Sequence, residues 1–255
     1  MLPSSLSPPS IALVRLPGDP RESMEAARRL GFRAVTLDAT RPGLRPREMD
    51  RSARRGLAAT LRRLELRLAG LDLPIPPEHL ARPDTQDRAL AALAAACELL
   101  VECAALVETS PVIAAPEPMG EGDDEEARAR ESARVAGERA VNLGVRLAAP
   151  EAQELPPGWA TSVDLARAIE AGRSPLKAIS TAREVAMIRL TDADHAGRRP
   201  LGAGRVDVGQ LAAVIATTAA DACLVIDPAG LPDPLAGASA ALQGWTDAHD
   251  PFARS

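Results

Sequence analysis

Residues 185–211 read VAMIRLTDADHAGRRPLGAGRVDVGQL. An apolar run of strand length ends in Asp192, Asp194 and His195, passes two arginines and a glycine turn, and enters a segment with helical periodicity. A continuous apolar run followed by a helix is the mark of a strand buried on both faces, as in parallel sheets. Asp207 and Gln210 stand at D-x-x-Q spacing, the signature of a capped helix start.

The same unit repeats outward in both directions. Apolar runs at 11–16, 34–38, 66–73, 111–115, 145–149, 160–164, 185–192 and 222–227 give eight strand candidates. Helical patterns follow most of them, for example PRESMEAARRLG from Pro20 and DDEEARARESARVAGERAVNLG from Asp123. A Pro-rich loop at 150–158 stands where the fifth helix would be. Eight alternations in 255 residues predict the α/β class and a single (β/α)8 TIM barrel, with residues 1–10 extended or disordered ahead of one domain over 1–255. A doubly wound open sheet is the alternative, but the first strand-to-helix turn, RLPGDPRE, has no G-x-G-x-x-G.

Composition narrows function by exclusion. A net charge of −5 leaves no footprint for nucleic acid. No apolar run reaches the ~20 residues of a membrane span, and the start MLPSSLSPPS has neither part of a signal peptide. Cys97, Cys103 and Cys223 are odd in number and lack C-x-x-C spacing, which fits a reducing, cytoplasmic setting. Tyrosine is absent and Lys177 is the sole lysine, a composition we read as genomic base bias. There is no G-x-S-x-G, P-loop or H-E-x-x-H.

In a barrel the C-terminal strand ends converge at one mouth, so those ends carry the candidate site. Asp38, Asp72, Asp164, Asp192 and Asp227 close strands, and Glu117 and Glu151 follow the fourth and fifth. So many carboxylates need a cation, a basic residue or protonation to offset them. Each Asp also suits a turn or helix cap, so two readings stand side by side: ligand of a divalent cation, or local cap. Trp159 is the one aromatic placed to serve as a sugar platform. His195 lies past the strand end, and the glycines of PLGAGRVD suit either a tight turn or close approach of backbone to a phosphate.

GVRLAAPEAQ (144–153), TSVDLARAIEAGRSP (161–175), MIRLTDADHAGRRPLGAGRVD (187–207) and LVID (224–227) together resemble the xylose isomerase-like barrels, the sugar phosphate isomerases and epimerases. The first half agrees more loosely, through GFRAVTLDA and LAGLDLP. The resemblance implies Mn²⁺, Mg²⁺ or a similar ion held by a Glu, an Asp, a His and a Glu after strands five to eight, with Zn²⁺ a further candidate. Against that pattern, Ala149 or Pro150 stands at the first position with Glu151 adjacent, Asp164 fits the second, Arg189 replaces the His, and Asp227 shortens the last Glu. Arg167 likewise stands where a His is expected. A guanidinium has donors only and cannot ligate a metal, so Arg189 is expected to stand in for the ion between Asp164 and Asp227.

The expectation is therefore an isomerase/epimerase-like barrel with a degenerate metal site and no cofactor, or a divalent metal if active. Glu151 and Asp227 are the candidate ligands or base, and Asp38, Asp72, Trp159, Arg189 and Asp192 contact a small polyhydroxylated or anionic ligand. A non-catalytic barrel that binds a small ligand or a protein is the alternative from another class.

Overall fold

The computed structural model describes residues 6–104, 109–116, 119–150 and 155–249. Eight parallel strands close a barrel: β1 (Ser10–Ala12), β2 (Ala34–Asp38), β3 (Arg67–Asp72), β4 (Thr109–Ala114), β5 (Arg146–Pro150), β6 (Trp159–Asp164), β7 (Val185–Arg189) and β10 (Cys223–Ile226). Neighbours follow chain order, and β10 pairs with β1 to shut the ring. The (β/α)8 expectation holds.

Two further strands, β8 (Asp192–Asp194) and β9 (Gly197–Arg199), form a separate antiparallel hairpin. The sequence reading carried the seventh strand on to Asp192; it stops at Arg189. The first strand is also shorter than expected, because Leu16 N–H donates back to Leu13 O at 3.2 Å and closes a 3₁₀ turn.

Helices occupy Pro20–Arg29 (α1), Arg51–Arg63 (α2), Gln86–Ala104 (α3), Asp123–Asn142 (α4), Leu165–Glu170 (α5), Pro175–Thr181 (α6), Val208–Thr218 (α7) and Pro234–His249 (α8). Their starts obey local chemistry. Asp19 accepts from Glu22 N–H while Glu22 accepts from Asp19 N–H, a complete capping box with Pro20 at the first helical position. Asp50 and Asp207 cap α2 and α7 in the same way, each accepting the N–H three residues on. Gln210 turns its side-chain amide toward the Asp207 carboxylate at 3.4 Å.

Packing divides the chain into two compact units, Met1–Val35 with Ser162–Ser255, and Thr36–Thr161. In the first, β10 pairs with β1 and β7, and Ser10 Oγ donates to Leu224 O at 3.0 Å. In the second, β3 pairs with β4 and β4 with β5, with a register shift between Leu68 and Gly70. The interior of both is aliphatic: Ile11, Met187, Ile188 and Val225 in the one, Leu68, Leu71, Ile113 and Leu147 in the other, all fully buried.

Asp192 explains where β7 ends. Its carboxylate is fully buried and accepts five backbone N–H groups, from Ala193, Gly202, Gly204, Arg205 and Val206, at 2.8–3.2 Å. A concave run of amides of this kind stabilises a negative charge without a cation. Gly204 is required for the fit, because a Cβ there would lie 2.6 Å from Asp192 Oδ1. Asp192→Asn replaces an acceptor with an NH₂ that faces these donors. We expect a loss of about 3 kcal/mol in urea unfolding, since buried donors left unpaired cost about 1–3 kcal/mol each before relaxation.

Candidate functional site

The first unit gathers four of the charged groups that the strand ends supply. Arg189, at the end of β7, donates from Nη1 to Asp227 Oδ2 at 2.9 Å, just beyond β10. The two side chains are only 16% and 10% exposed. Asp227 is further fixed by Ala229 N–H, which donates to its Oδ1 at 2.9 Å, and by Thr191 Oγ1, which donates to its main-chain carbonyl at 2.6 Å. The expected arginine–carboxylate pair is therefore present.

Asp164 is balanced by a different arginine. Its Oδ1 accepts Arg167 N–H at 3.0 Å, as the cap of α5, and its Oδ2 lies 3.4 Å from Arg198 Nη2. Arg198, on β9, also reaches Glu170 at 3.3 Å and Ala229 O at 3.5 Å. At these lengths charge attraction outweighs directional hydrogen bonding. The sequence reading gave both acids to Arg189; the structure divides them between Arg189 and Arg198. Arg198 was visible only as one of two arginines in the loop, with no register to say that a hairpin would turn it toward Asp164.

Its neighbour Arg199 pairs with Asp194 at 2.9 Å. The hydrogen bond from Arg199, with a further one from Ala196 N–H, holds the Asp194 carboxyl below the usual carboxylate range. His195 sits exposed in the hairpin turn beside it. Asp192, offered by the sequence as a ligand contact, has its carboxylate enclosed by the amide cradle already described.

The remaining candidates belong to the second unit or lie outside the described residues. Asp38 Oδ1 accepts both Thr40 N–H (2.9 Å) and Thr40 Oγ1–H (2.6 Å), a local turn of the kind Asp favours. Asp72 is buried at the end of β3, where its carbonyl accepts Ala39 N–H. Trp159 is 3% exposed and its indole N–H donates to Ala133 O at 2.9 Å, so its faces are packed inside. Gly137 on α4 lets this happen: a Cβ there would collide with Pro157 O and press on Trp159 Cδ1. Glu117 and Glu151 lie outside the described residues.

Among the described residues, the strand-end acids Asp164 and Asp227 each meet a guanidinium, and no group of three His, Cys, Asp or Glu side chains converges. Nor do cysteines offer a nucleophile: all three are buried, and burial pushes the Cys97 and Cys103 thiols up to about 11.

Solved structures share this architecture over nine-tenths or more of the chain. A xylose isomerase domain protein from Planctomyces limnophilus superposes with a TM-score of 0.74 at 15% identity, covering 98% of this chain and 100% of its own. A D-psicose 3-epimerase from Clostridium cellulolyticum H10, solved with D-tagatose, gives 0.72 at 12% identity over 95% and 99%. A xylose isomerase-like TIM barrel protein from Mycobacterium smegmatis, solved in complex with magnesium, gives 0.67 at 13% identity over 90% and 89%. The chain has the xylose isomerase-like barrel fold. No family model and no curated protein matches its sequence. No helix among the described residues is long and apolar enough to cross a membrane.

Two measurements check the electrostatics. In a double-mutant cycle of Arg189→Met and Asp227→Asn, we expect a coupling of about 2 kcal/mol in chemical unfolding, below the ~3–5 kcal/mol of a fully buried broken pair because the guanidinium retains some solvent. An NMR titration should place the Asp194 midpoint below that of an ordinary carboxylate, and Arg199→Gln should raise it. Because the folded value is the depressed one, the associated stability is present above the unfolded-state pKa and is lost as pH falls through the folded one.

Proposed function

We propose that this chain is a sugar isomerase/epimerase-type barrel in which arginine–carboxylate pairs have replaced the divalent-metal centre, and that it binds a small polyhydroxylated or anionic ligand at its strand ends without metal. The observation that carries this reading is the 2.9 Å ion pair between Arg189 and Asp227. In a metal-dependent barrel of this type an ion polarises a substrate oxygen. Here a fixed guanidinium provides positive charge, with planar donors suited to hydroxyl, carboxylate or phosphate oxygens. The likeness to an epimerase solved with D-tagatose supports a polyol as the ligand class.

The chemistry open to such a centre is binding and orientation. Asp227 is committed to Arg189 and Ala229, and Asp164 to Arg167 and Arg198, so neither is an unencumbered base. Glu151 stays the candidate for proton abstraction should the chain turn substrate over. A cytoplasmic setting completes the reading.

Metal content tests it. We expect the purified protein to take up Mn²⁺, Mg²⁺ and Zn²⁺ far below stoichiometry, to keep its Tm in EDTA, and to be stabilised by ketoses or sugar phosphates with no metal added. Arg189→His should raise Mn²⁺ affinity by about tenfold or more, as a ligand is restored to the family's position. Stoichiometric, EDTA-sensitive metal in the unmodified protein would refute the replacement.

A further inference from the structure

The second unit contains a half-open cavity of about 260 Å³ that none of the strand-end acids lines. It lies where β2 and β3 give way to their loops, the face on which barrels of this kind carry function. Its floor is apolar and buried, made by Leu73 and Ala89 with Ala92 beside them. Its rim is basic: Arg47 and Arg88 are exposed at the edge, and half-buried His79 also lines the cavity.

These two arginines differ from most of the charged groups around them. Arg45, on the same wall, donates to Thr40 O at 2.7 Å and pairs with Glu48 at 3.0 Å, which engages the cavity's one carboxylate. Arg54 nearby is committed to Glu102 at 2.6 Å. Arg47 makes a single long contact, 3.4 Å to Arg88 O, and no carboxylate among the described residues pairs with Arg47 or Arg88. Among the described residues, the lining side chains thus carry three guanidiniums against one carboxylate, in a chain whose net charge is −5. Such a local excess of positive charge attracts an anion, and an apolar floor beneath it retains one with a hydrocarbon or ring body.

We infer that this cavity is a binding site for a small organic anion, in which Arg47 and Arg88 hold a carboxylate or phosphate head and Leu73, Ala89 and Ala92 receive the apolar body. Guanidiniums suit both head groups, which they meet with paired N–H donors. His79 adds a ring nitrogen at the same rim. The site needs nothing from the Arg189–Asp227 centre and stands or falls separately from it.

Calorimetry on the full-length protein with phenyl phosphate, benzoate and inorganic phosphate tests the assignment. At least one of the two aromatic anions should bind one-to-one, about tenfold or more tighter than inorganic phosphate, and shift the methyl NMR signals of Leu73, Ile75, Ala89 and Ala92. The double variant Arg47→Ala/Arg88→Ala removes exposed side chains and should keep its Tm while losing about tenfold or more in affinity. Ala92→Leu, which fills the cavity without touching charge, should weaken binding as much. A choice between phenyl phosphate and benzoate identifies the head group. Absence of saturable binding, equal affinity for inorganic phosphate, or indifference to both variants would overturn the site.

Discussion

The buried carboxylate of Asp192 sets the geometry on which the charged centre of the first unit depends. An ionised group taken out of water demands several hydrogen bonds, and here five main-chain amides converge to supply them. That demand draws residues 202–206 back against the chain leaving β7, and the intervening segment has to double over as the β8–β9 hairpin. Arg198 is carried on the returning strand to within reach of Asp164 and Glu170. Local main-chain satisfaction thus determines which cation meets which strand-end acid.

Neutralisation by arginine differs from neutralisation by a metal in kind as well as in strength. A divalent ion accepts lone pairs from several carboxylates and still leaves coordination positions for substrate. A guanidinium only donates, and here Arg189 meets Asp227 while Arg198 meets Asp164 and Glu170. Both acids are also tied to main-chain amides, at Ala229 and Arg167. The carboxylates are thereby oriented by hydrogen bonds from both side-chain and main-chain donors.

The barrel was legible because its signals are local. Apolar runs mark the strands, and Asp207 marks the start of α7 through a contact only three residues away. The Arg189–Asp227 pair was also legible, since parallel neighbours place residues at the ends of β7 and β10 side by side. The hairpin was not, because three-residue polar strands have no apolar alternation, and Asp192 closes contacts 10–14 residues downstream. Trp159 looked like a platform because its burial depends on Gly137, distant in sequence, having no side chain. The cavity of the second unit was hidden for a related reason: its rim comes from three separate segments, and Arg47 and Arg88 read in isolation as ordinary solvated helix-face residues.

The strand-end centre of the first unit and the cavity rim of the second handle positive charge in opposite ways. In the first, the arginines at the strand ends are consumed internally, each matched to a carboxylate from the same set of loops. At the cavity rim of the second, among the described residues, only Arg45 is matched, to Glu48, and the strand-end acid Asp38 turns to Thr40. Positive charge without an internal carboxylate is available to something outside the chain, whereas charge already paired must be desolvated and released before it can serve a ligand. By that criterion anion recognition is electrostatically easier in the second unit. In the first, the donors and acceptors are already fixed in place by one another.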